Sequence, residues 1–258
     1  WTKNPLPMLD KLDSLKDYSY YFQFTITPYG KDVEPNIPSK PDVIIPAFQI
    51  LSNFIGAEKV VWRYDPIMLN AKYTLEYHVQ AFEKIASQLS QYTKKCTISF
   101  VDFYRNTTNN VKELNPVEFP ENKIIELSKK LAEIAHSHNL KIDTCAEAIE
   151  LQQFGIEHAR CIDDRLFEKI LGCPLRVDKD KNQRLECGCI SSIDIGMYNT
   201  CKNGCRYCYA NFSDTTVKNN TEKHNPASSL LFGEVGDDDT VKERIVISCK
   251  DNQIRLDI

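Results

Sequence analysis

At 258 residues, 42% hydrophobic and 26% charged, the chain is long enough for one large domain or two small ones and has an ordinary globular composition. Its net charge of −4 gives no broad basic field, so electrostatics do not indicate a nucleic-acid partner. No run of about 18 apolar residues argues for a membrane helix, and no leader is readable, so the expected compartment is the cytoplasm.

In chain order, short apolar runs alternate with longer amphipathic ones. Residues 20–26 predict a strand, 43–54 a helix and 59–63 a second strand. Over 75–92, Val79, Phe82, Ile85, Ala86 and Leu89 recur at the spacing of one helical face. A strand is expected at 96–101. Over 124–135 the helical stripe returns in Ile124, Leu127, Leu131, Ile134 and Ala135, led in by Pro120-Glu121. Residues 140–144 and 159–162 predict strands, 164–171 a helix stopped by Gly172, and 189–195 a last strand before a cysteine-rich loop. Strands alternating with helices mean parallel pairing. Repeated about six times, the pattern favours a (β/α) barrel over an open doubly wound sheet. No Gly-rich dinucleotide or phosphate loop is present. The expected domain spans 1–210 and ends in that loop; the polar residues 211–258 read as a tail of loops, with a short apolar run at 243–249.

Ten cysteines are many for this length, yet the ample core argues against a disulfide scaffold. Five of them (Cys187, Cys189, Cys201, Cys205 and Cys208) fall within 22 residues, and clustered thiols in a large domain read as metal ligands. Cys96, Cys145 and Cys161 lie in or beside apolar runs and read as small buried hydrophobes, while Cys249 reads as incidental. The most specific stretch is Cys201-x3-Cys205-x2-Cys208, with the aromatic Tyr207 just before the third cysteine. A structural zinc site takes four ligands, whereas a cube of four irons held by three cysteines leaves one iron open. The loop closely resembles that of radical S-adenosylmethionine enzymes. This resemblance implies a 4Fe–4S cluster on Cys201, Cys205 and Cys208, S-adenosylmethionine on the open iron, and an electron donor as partner. The residues leave two alternatives. Cys187 or Cys189 can close the cluster as a fourth thiolate, or four of the five thiols can hold zinc.

Polar residues collect where the predicted strands end: Thr25, Arg63 with Asp65, Asp102, Asp143 and Asp163. One such residue alone is an ordinary helix cap or ion pair. Their recurrence at successive strand ends points to a cofactor pocket, with Thr25, Arg63, Asp65 and Asp102 as its binding candidates. A longer resemblance covers nearly the whole chain. Trp1-Thr2-Lys3-Asn4-Pro5, the run from Phe22 to Gly30, Trp62-Arg63-Tyr64-Asp65-Pro66 and Ile98-Ser99-Phe100-Val101-Asp102 carry its first half. Gly155-Ile156-Glu157-His158, Cys161-Ile162-Asp163-Asp164-Arg165, Lys179-Asp180-Lys181-Asn182-Gln183-Arg184 and residues 187–211 carry the second. Together they resemble an uncharacterised microbial domain-of-unknown-function family with a C-terminal radical-SAM-like cysteine cluster. The resemblance implies an earlier strand, so the barrel is expected to be incomplete at its N-terminus.

Overall fold

The computed structural model describes residues 1–102, 111–117 and 119–251. Five strands, β1 (Phe22–Thr25), β2 (Val60–Ile67), β3 (Lys95–Phe100), β4 (Lys141–Thr144) and β5 (Ile156–His158), pair in chain order, each pair parallel. Parallel neighbours need long crossovers, here supplied by α1 (Ile45–Ile55), α2 (Leu75–Leu89) and α3 (Glu121–Ser137). Helix α4 (Asp164–Leu171) follows β5, and α5 (Asp214–Glu222) lies in the tail. The fold is α/β with a parallel sheet.

Strand residues alternate between two unlike faces, as a period of two requires. Phe24, Trp62, Tyr64, Cys96, Ile98 and Ile142 enter the main apolar core, against Phe48 and Leu51 of α1, Phe82 and Leu89 of α2, and Leu127 and Leu131 of α3. The opposite face is polar and still buried along β2, β3 and β4, while Glu157 at its β5 margin is exposed. One row across it runs Thr25, Arg63, Thr97, Asp143, Glu157, each residue in register with the next. Buried polar groups need partners, and here they find one another. Thr97 Oγ1 donates to Asp143 Oδ1 at 2.6 Å, Lys95 Nζ reaches Asp143 Oδ2 at 2.8 Å, and Ser99 Oγ donates to Asp65 Oδ1.

The two margins of the sheet are tied across this polar face. Tyr21 Oη and Gln23 Nε2, at β1, both donate to the carbonyl of Cys161, three residues beyond β5, at 2.6 and 2.8 Å. Thr2 runs parallel to β1, its N–H donating to Gln23 O and its carbonyl accepting from Thr25 N–H.

Most predicted elements form close to their expected bounds, with three differences. The strand expected at 159–162 lies earlier, as β5, and 159–162 is the loop that follows it. The strand expected at 189–195 does not form; among the described residues that region makes one isolated antiparallel bridge, Lys179 to Ile190. Residues 191–198 are exposed and pair with no strand among the described residues, so their apolar alternation is not buried. In the tail, where loops were expected, Ser213 caps α5 by accepting from Thr216 N–H at 3.2 Å. No helix among the described residues is long and apolar enough to cross a membrane.

Candidate functional site at the C-terminal ends of the strands

The cysteine loop is closed at its neck by Asn199, buried and held at φ 56°. Its N–H donates to Ala210 O, its side-chain oxygen accepts from Phe212 N–H, and its carbonyl accepts from Asn220 Nδ2 on α5. Helix α5 thus serves as a brace for the loop. The loop then docks on the segment after β1. Arg206 N–H donates to Val33 O at 2.9 Å, and Asn36 Nδ2 donates to Lys202 O at 2.8 Å. Gly204 makes this approach possible. It sits at φ 65°, and a Cβ there would stand 3.1 Å from Asn36 Nδ2 and 3.3 Å from Pro35.

Under the loop lies Glu34, almost fully buried. Its carboxylate accepts from Tyr207 Oη, from Thr27 Oγ1 at 2.8 Å and from Lys3 Nζ at 2.8 Å, and it faces Lys40 Nζ at 2.5 Å. Burial alone would raise its pKa, but the two ammonium groups outweigh it and hold the carboxyl at about 2. Lys3 also lies 5.2 Å from the centre of the Tyr207 ring. Of the three loop thiols, Cys201 is exposed and Cys205 and Cys208 are half-buried. Burial pushes Cys205 up to about 12, opposed by Lys3. Burial likewise raises Cys208. A thiophilic metal would have to deprotonate them, as metals do, and Lys3 and Lys40 supply nearby positive charge.

A second group of thiols sits at the ends of β4 and β5. Cys145 Sγ is 3.1 Å from Cys161 Sγ, and Cys187 and Cys189 join them in one small cluster. Arg63 Nη1 donates to Cys161 Sγ at 2.8 Å, and Ile162 N–H donates to Cys189 Sγ at 3.4 Å. The hydrogen bond to Cys161, ahead of burial, moves the Cys145 thiol up. Cys161 is lowered by its bond to Cys145, but Cys189 and burial carry it to about 11. All ten cysteines are free thiols. Among the described residues, no three His, Cys, Asp or Glu side chains already surround a common point as a metal ion needs.

The candidate pocket residues divide by depth. Arg63 is buried and forks onto Asp65 through Nε and Nη2, while Asp65 accepts from Ser99. Thr25 adjoins Arg63 in register. Asp102 lies at the rim, about half exposed, and pairs with Arg184 at 2.7 Å. Near it Glu147, whose Oε1 accepts from Phe100 N–H, is raised by burial to about 7. Cys161 is buried, as expected of a small hydrophobe, and Cys145 is half-buried against it; both stand outside the main core, beside Arg63. Glu34, Lys3 and Lys40 had no local signal, because a lone Glu in a loop reads as solvated until the lysines from distant segments are brought to it.

Fold and site together define an α/β protein whose parallel sheet carries thiols and buried charges at the C-terminal ends of its strands. The chain belongs to the family described as Domain of unknown function (DUF1848), whose model matches residues 1–210. No curated protein and no solved structure matches it.

Proposed function

We propose that this chain is an iron–sulfur protein of radical-SAM-like type. Cys201, Cys205 and Cys208 would hold three irons of a 4Fe–4S cluster, leaving the fourth iron open to S-adenosylmethionine. The observation that carries the reading is the three-thiolate loop itself, anchored by Tyr207 on Glu34 and by Arg206 on Val33, with Lys3 and Lys40 beside it. Thiolates are the ligands such clusters take, and nearby ammonium groups offset the negative charge of a thiolate-bound cluster. When bound, the cluster supplies the electron that cleaves S-adenosylmethionine.

The rest belongs to the chain's own residues. A sheet paired strictly in chain order, with its margins linked through Tyr21, Gln23 and Cys161, supports an incomplete (β/α) barrel. Its polar face then lines the pocket. Thr25, Arg63 and Asp65 would meet the cofactor within it, and Asp102 at the rim. The Arg63–Asp65 fork is fixed by Ser99 and Cys161, so it orients a bound group without first reorganising.

The test is anaerobic purification with iron and sulfide analysis, then reduction in the presence of S-adenosylmethionine. The expected outcome is about four irons and four sulfides per cluster in the wild-type chain, their loss in Cys205→Ala, and release of 5′-deoxyadenosine. An iron-replete sample that releases none would end the radical reading. A Cys205→Ala chain with its full iron content would end the assignment of the loop.

A further inference from the structure

We infer that Cys145, Cys161, Cys187 and Cys189 form a four-thiolate site for a single zinc ion, separate from the cysteine loop and independent of the chemistry proposed for it. Four thiols from three places in the chain meet here: one follows β4, one follows β5, and two flank Gly188. Cys161, Cys187 and Cys189 are each 7% exposed and Cys145 is half-buried. They make a small cluster of their own, whose other members are Ala146 and Ile162. Apolar packing does not call for four sulfurs in one place; Cys96, a cysteine that does serve packing, sits alone among the aromatic and aliphatic side chains of the main core.

The backbone around the thiols is built to hold them. The Cys187-Gly188-Cys189 tip is pressed onto the chain just before Cys161. A Cβ on Gly188 would stand 2.9 Å from the Ala159 carbonyl oxygen and 2.9 Å from Arg160 Cγ, so this approach needs glycine. The Cys161 carbonyl is held by Tyr21 and Gln23, and Ile190 N–H donates to Ile162 O at 3.2 Å. Two sulfurs already receive N–H donors, from Arg63 and Ile162. Such donors support ligating thiolates from the second shell of a metal site, and the Arg63 charge offsets part of the negative charge of four thiolates.

Size separates a single ion from a cluster. With zinc–sulfur bonds of about 2.3 Å, thiolates sharing one tetrahedral zinc stand about 3.8 Å apart. Cys145 and Cys161 at 3.1 Å must therefore open by about 0.7 Å. Turning cysteine side chains between staggered rotamers supplies such movements and converts the present chain of sulfur contacts into a cage. An iron–sulfur cube, with its inorganic sulfides between the irons, would need the thiolates spread much further.

The experiment uses the full chain carrying Cys201→Ser, Cys205→Ser and Cys208→Ser, reduced, stripped with chelator and loaded anaerobically with zinc alone. The expected result is one zinc per chain, lost when Cys161→Ser and Cys189→Ser are added. Should that last variant fail to fold, cobalt(II) loading of the loop variant serves instead, its absorption reporting a tetrahedral four-thiolate ion. Failure of the loop variant to bind zinc would overturn the site. Retention of iron with acid-labile sulfide in the loop variant, or two fewer titratable thiols for a Cys145–Cys161 disulfide, would overturn it as well. None of these outcomes depends on whether the loop itself carries a cluster.

Discussion

Glu34 is the residue on which the docking of the cysteine loop turns. It is a buried carboxylate flanked by two lysines and capped by the Tyr207 hydroxyl. Removing one member of such a group leaves buried charge uncompensated. Glu34→Gln is therefore expected to cost about 3–5 kcal/mol, read as a lower urea midpoint in equilibrium unfolding. An unchanged midpoint would mean that the lysines find water instead, and that the loop is held by its backbone contacts alone. The residue scale also shows what spacing conceals. The loop cysteines are legible because their ligand spacing is local, whereas Glu34, Lys3 and Lys40 are separated by up to 37 residues of chain. The proximity of Cys145 to Cys161 was hidden for the same reason: each sits singly in an apolar run, and only folding brings them within 3.1 Å.

At the scale of elements, the interface between β2 and α2 governs how firmly the strand ends are held. Trp62 and Phe82 stack with ring centres 4.7 Å apart, and Tyr64 meets Phe82 edge-on at 5.1 Å. Both partners of Phe82 flank Arg63 in β2, so a loosened stack would also free the polar face. Phe82→Ala removes a fully buried ring and is expected to destabilise by about 3–5 kcal/mol, measurable by thermal or urea unfolding. A cost below about 1 kcal/mol would show that the site collapses to fill the space. The periodic elements were readable because their faces repeat: Phe82, Ile85, Ala86 and Leu89 mark α2, and Phe22, Phe24 and Ile26 mark β1. Helix α5 was not, since it buries only Val217 and offers no stripe.

For the molecule as a whole, His78 makes stability depend on pH. Its Nδ1 accepts from Tyr64 Oη at 2.8 Å and its Nε2 donates to Met68 O at 3.0 Å, an assignment made from those partners. Burial lowers its pKa from 6.5 to about 4. Between those values the unfolded chain binds the proton and the folded chain does not, so stability falls as pH drops from about 6.5 toward 4 and levels off below. The shift corresponds to about 3 kcal/mol. Glu147, raised to about 7, acts in the opposite direction over much of this range, so the His78 contribution is read as a difference: the gap in urea midpoint between the wild-type chain and His78→Gln should narrow as pH falls from about 6.5 toward 4. Equal slopes in both chains would remove His78 from the account.

By itself the sequence determined the α/β class, most element positions, the polar strand ends and the three-cysteine loop. Each is written in short-range periodicity or spacing, which depends only on local backbone geometry. Tertiary structure alone decided that the sheet runs in chain order, that alternate strand residues form a buried polar face, and that the loop rests on Glu34. It also decided that Cys187 and Cys189 lie against Cys145 and Cys161. Those cysteine pairings join residues 26 to 44 positions apart, and such contacts follow from how the strands stack, which no local pattern encodes.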